Sequence, residues 1–175
     1  MRTRLNTRRR ALLATLVALA ALAFAGSALA SRCTNVSGPF IAYTYFPPSC
    51  GSLIGICIHS TLSDSFLGSD DLTFDTLVSA ADPSDPSKFL YTGDSLLMTD
   101  TGRTIYGQDT GVIHITSDAI APFVTTVTIV GGTRQYANAS GQLIESGELD
   151  FVTGLAIGTY TGTVCKSSDD EGEAT

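Results

Sequence analysis

Downstream of residue 30 the chain alternates apolar and polar residues with a period of two and nowhere sustains the three-to-four-residue apolar period of an amphipathic helix. Ile54, Ile56 and Ile58 alternate with Gly55, Cys57 and His59, the pattern of a half-buried strand with its isoleucines toward a core. Leu72, Phe74, Thr76 and Val78 repeat it after the turn-like residues 68–71, and the proline-rich stretch 80–86 then reads as a surface loop. Residues 89–99 form a strand that bends or bulges at Gly93, and Asp100-Thr101-Gly102 follows as a hairpin turn. Arg103 to Tyr106 is a short strand, Gln108-Asp109-Thr110-Gly111 turns the chain again, and residues 112–116 put Ile113 and Ile115 on one face with His114 on the other. Three further strands fall around residues 123–130, 142–149 and 156–165.

About eight short strands with turn signals at close intervals predict an all-β domain, an antiparallel barrel or sandwich. The predicted domain covers residues 52–166. Before it, residues 31–51 contain Pro39, Pro47 and Pro48, which interrupt a regular ladder, and are expected to form an irregular N-terminal arm. After it, residues 167–175 read as an acidic disordered tail, because Asp169, Asp170, Glu171 and Glu173 have nothing apolar to bury beside them.

Residues 1–30 change the picture from fold to address. Arg2, Arg4 and Arg8 to Arg10 precede an apolar run, and Ala28-Leu29-Ala30 supplies a small-x-small cleavage signal, so a signal peptide and a secreted or periplasmic product are expected. The arginines around Arg8-Arg9 also resemble a twin-arginine export signal, with an ordinary Sec signal as the favoured reading. The apolar run falls short of the roughly 20 residues that span a bilayer, so no membrane association is expected after cleavage. These residues carry five of the ten basic side chains and none of the seventeen acidic ones, leaving the rest of the chain at a net charge of −12. Nucleic acid and anionic lipid, which need clustered Lys and Arg, are excluded as main partners. All four cysteines, Cys33, Cys50, Cys57 and Cys165, lie beyond residue 30, and an even number in an exported chain favours disulfides, for which three pairings exist. Their spacings contain no C-x-x-C, so no metal site and no cofactor are expected.

The C-terminal third carries a resemblance. Ile129-Val130-Gly131-Gly132-Thr133, Tyr136-Ala137, Ala139-Ser140-Gly141, Gly147 and Tyr160-Thr161-Gly162 resemble the closing hairpins of the allene oxide cyclase and dirigent superfamily, with Arg134 standing where those proteins prefer glycine. The resemblance implies one calycin-like antiparallel barrel of eight strands, with a cavity for a small apolar or aromatic ligand and activity of the isomerase or dirigent type. It transfers no catalytic residue. In such a barrel the first and last strands are neighbours, so Cys57 is expected to pair with Cys165, and Cys33 with Cys50 within the arm.

Three side chains stand out as ligand-binding candidates. Glu145 shares parity with Leu143 and Leu149 and would be an acid or base of raised pKa if it pointed into a barrel. Tyr160 lies between Gly158 and Gly162, which leave room around its ring, and Tyr106 has a similar standing. His59 and His114 read as exposed strand residues without a task. There is no G-x-S-x-G elbow, no H-E-x-x-H and no phosphate-binding glycine loop followed by Lys, so hydrolase and kinase readings have no support. Two function classes remain: a barrel that holds a small apolar molecule, and a surface or matrix interaction protein that uses the barrel as a scaffold.

Overall fold

A computed structural model describes residues 32–46, 50, 52, 54–74, 79–82, 85–115 and 119–166; for residues 69–74 and 79–82 it describes the backbone alone. The expected signal peptide and acidic tail lie outside the described residues. The described residues form nine strands: β1 (Arg32–Tyr45), β2 (Ile56–Leu62), β3 (Leu67–Phe74), β4 (Ser79–Asp82), β5 (Asp85–Thr99), β6 (Thr104–His114), β7 (Ile120–Gly132), β8 (Ser140–Asp150) and β9 (Leu155–Lys166). The described residues contain a single short helix, one 3₁₀ turn at Arg134–Tyr136. All pairings are antiparallel, in the order β3-β2-β1-β9-β8-β7-β6-β5, and a β3–β5 pairing closes the ring into an eight-stranded barrel. Strand β5 is 15 residues long, so β3 pairs with its second half while β4 pairs with its first.

The largest departure from expectation is at the N-terminus. The predicted irregular arm is for most of its length β1, which pairs along its length with β9 and, from Phe40 onward, with β2. Pro39 does not interrupt it. The Pro39 carbonyl accepts from Ser63 N at 3.0 Å, so its nitrogen faces the same edge, where the β1–β2 ladder has already ended at the Phe40–Leu62 pair. Two predicted turns also prove to be strand. Residues 68–71 lie within β3, and residues 108–111 sit in the middle of β6, joining the two short strands expected on either side. The hairpin at residues 100–102 is as expected, with Gly102 at φ 72°.

Both disulfide assignments are overturned: Cys33 bonds Cys165 and Cys50 bonds Cys57. The cause is β1. Once residue 33 belongs to a strand alongside β9, the register sets Cys33 directly opposite Cys165. Cys57 lies on β2, separated from β9 by the whole of β1, and reaches only the neighbouring Cys50.

Parity decides which side chains fill the barrel. Even-numbered residues of β1, β2 and β9 and odd-numbered residues of β5 to β8 turn inward. One end is solid: Leu67, Leu97, Ile105, Ile129 and Val164 pack there, and Phe66 stacks on Tyr136 of the 3₁₀ turn with ring centroids 6.2 Å apart. That turn starts at Arg134 with φ 53°, a left-handed conformation that explains why glycine suits this position.

Candidate functional site

The other end of the barrel is hollow. A cavity of about 460 Å³ opens where β1 ends and β2 begins, within the range of roughly 300–1,000 Å³ typical of small-molecule sites. Its walls are mainly apolar, including Ile56 and Ile58 of β2, Ile113 of β6, Leu149 of β8, and the rings of Phe40 and Phe123, 6.2 Å apart. Ala42 and Ala156 are register partners on β1 and β9, and their small side chains leave part of this space empty. Phe46 and Val152 stand at the rim, 71% and 81% exposed. Ile54, expected to face the core, also lies at the rim and is exposed.

The floor is polar, and cross-strand register builds it. Tyr91 pairs with Gly111, Gly111 with Thr125, Thr125 with Glu145 and Glu145 with Tyr160, a single inward-facing row across β5 to β9. Gly111 belongs in this row because a Cβ there would sit 2.2 Å from the Tyr91 ring. The ring lies over the glycine and delivers its hydroxyl to Thr125 Oγ1 at 2.6 Å. Glu145, 6% exposed, comes next in the row and lines the cavity. Asp109 lies one step deeper, 2% exposed, and accepts from Ser95 Oγ at 2.9 Å. Burial pushes the Tyr91 phenol far above its ordinary range. The Thr125 hydrogen bond opposes that shift, and the negative charges of Glu145 and Asp109 add to it.

The three candidates from the sequence therefore separate. Glu145 lines the cavity. Tyr160 points inward beside it at 2% exposure but does not line the hollow. Its hydroxyl donates to Ser63 O at 2.7 Å and meets Ser65 Oγ at 2.6 Å, so it ties the β2–β3 turn to β9. Burial raises its phenol too, against the Ser65 hydrogen bond and with the charges of Asp64 and Glu145. Tyr106 is on the outer face, 40% exposed, and does not line the cavity.

The hollow expected beside Gly158 and Gly162 is not there. A Cβ on Gly158 would meet Ser146 O at 2.2 Å and the Phe40 ring at 2.8 Å, and one on Gly162 would meet Gln142 O at 2.1 Å. These glycines let neighbouring strands approach closely instead of opening space. The sequence reading missed Tyr91, Thr125 and Ser60, all of which line the cavity. Strand parity was the available signal, since Tyr91 shares it with Leu97, and Thr125 with Val127.

On the histidines, His59 is exposed, while His114 is half-buried with Nε2 2.7 Å from Ser87 Oγ. That pair is no nucleophile and base. Ser87 Oγ donates to Asp85, which leaves His114 Nε2 to act as donor toward it. Asp85 is held low, at about 2, first by Ser87 and then by Lys88, whose Nζ lies 3.0 Å away.

The class these features define is a closed antiparallel eight-stranded barrel, solid at one end and open at the other over a floor with one carboxylate among the described lining residues. No protein family and no curated protein matches the chain. Among solved structures it is similar to the pterocarpan synthase dirigent protein GePTS1, at 15% identity over 83% of this chain and 96% of that one, with a TM-score of 0.45.

Proposed function

We propose that the barrel is a binding vessel for one small, largely apolar molecule with a hydrogen-bonding end group. The observation that carries this reading is the 460 Å³ hollow with apolar walls and the convergent Tyr91, Thr125 and Glu145 groups at its floor. A scaffold without a ligand would gain packing energy by filling that space, as the same barrel does at its other end. The molecule enters past Phe46 and Val152 and seats its polar end at the floor. Turnover of the isomerase or dirigent kind implied by the sequence resemblance would use Glu145 for proton transfer and the walls for steering. The setting we propose is extracytoplasmic, in keeping with the two disulfides and the expected signal peptide.

The test is titration of an uncharged fluorophore such as prodan into the purified protein and into Ala156→Phe. The substitution projects a ring into the hollow. The expected result is one site in the wild type and at least about a tenfold loss of affinity in the folded variant, or ~1.4 kcal/mol. Absence of binding by folded wild type, or equal binding by both, would remove the vessel.

A further inference from the structure

The electrostatics of the hollow narrow the class of ligand. Of the described residues lining it, Glu145 is the one carboxylate, and no Lys, Arg or His is among them. Glu145 is almost wholly buried, and Asp109 places a second buried carboxyl just beneath the floor. The other polar groups at the floor are hydroxyls, with Tyr91 Oη and Thr125 Oγ1 2.6 Å apart. One of these two hydroxyls donates to the other, and both keep lone pairs that can accept. The walls add the rings of Phe40 and Phe123, and aromatic rings attract cations through their quadrupoles.

A carboxylate amphiphile entering this space would bring a second negative charge to Glu145 in a desolvated setting whose described lining contains no Lys, Arg or His. An ammonium would do the reverse. Its three donors match the carboxylate and hydroxyl acceptors, and its charge offsets that of Glu145 where water does not.

Resting on the vessel reading, we propose that the cavity selects hydrophobic amines: molecules with an apolar body and one cationic nitrogen, seated on Glu145 with Thr125 and Tyr91 as further acceptors. Fatty-acid-like anions are excluded by the same charge.

Three eight-carbon probes of the same shape separate the outcomes: octylamine, 1-octanol and octanoate, measured at neutral pH by competition against the prodan signal. An alkylamine is protonated there, with a pKa near the ~10.4 of a lysine side chain. The expected order is octylamine tightest, octanol next and octanoate weakest, with amine and carboxylate differing by at least about a hundredfold. Glu145→Gln should weaken octylamine by at least about tenfold more than it weakens octanol. The wild-type order stands as a test even if the variant folds poorly. If octanoate binds as well as octylamine, or Glu145→Gln leaves octylamine unchanged, the amine assignment falls. Octanol binding in that case would keep the vessel itself intact. If none of the three competes, vessel and amine assignment fall together.

Discussion

Replacing both cysteines of the β1–β9 disulfide by serine isolates what closes the barrel. Cys33 and Cys165 are register partners 132 residues apart in sequence, so their bond fastens the seam between the first and last strands of the ring. Cys33 is exposed and Cys165 half-buried, so serines leave no apolar void, and the change acts mainly on the unfolded chain. In the chain-entropy treatment, a loop of this length costs the unfolded state about 5 kcal/mol. The Cys50–Cys57 loop, with a separation of 7, contributes about 2.5 kcal/mol. Since domains are stable by roughly 5–15 kcal/mol, the seam bond supplies a large share. Denaturant unfolding of Cys33→Ser/Cys165→Ser should lose several kcal/mol, with an unchanged or larger m value because the released chain expands. In thermal unfolding the same loss lowers the midpoint by roughly 10–20 °C. A loss under about 1 kcal/mol would refute the reasoning, because the register-paired strands would then hold the seam without the bond.

Three further outcomes follow from the interior. Gly158→Ala drives a methyl against Ser146 O and the Phe40 ring, and should destabilise by about 1–3 kcal/mol in denaturant unfolding; a neutral result would mean there is free space beside Tyr160. Tyr160→Phe removes the hydroxyl that holds Ser63 O and Ser65 Oγ; it should lose about 1–2 kcal/mol while leaving prodan binding unchanged, whereas a selective loss of binding would make Tyr160 part of the site. In an alkaline ultraviolet titration, Tyr91 and Tyr160 should stay protonated beyond the ordinary phenol range near pH 10. Their folded pKa values lie above the unfolded value near 10, so this contribution to stability is complete below about pH 10 and is lost as pH rises through the folded values; ionisation of Tyr91 and Tyr160 near pH 10 in the folded protein would contradict it.

The sequence carried the fold class because period-two alternation survives wherever one face is buried, as in 123–130, 142–149 and 156–165, all recovered within β7, β8 and β9. Strands were lost where composition outweighed periodicity. Gln108 to Gly111 has turn chemistry, yet Asp109 and Gly111 face the interior: the carboxylate accepts from Ser95, and the glycine lies beneath the Tyr91 ring. Both partners come from β5, so neither reason is local to β6. Pro39 masked β1 similarly, because its missing donor faces an edge where the β2 ladder has ended, a fact of register. Overlooking β1 moved the seam and misassigned both disulfides. Glu145 was legible from its own strand. Tyr91 and Thr125 line the cavity through the row that aligns five strands, and Tyr160 lies beside it without lining it, its neighbouring glycines admitting backbone and the Phe40 ring.

The most direct test of the vessel is a backbone-amide NMR titration with 1-octanol, which is uncharged and so independent of the amine assignment. The account predicts saturable shifts at Thr125, Glu145, Leu149 and Ala156, with Tyr106 and Val130 on the outer face unmoved. Shifts confined to the outer face, or none at saturating octanol in the folded protein, would contradict it.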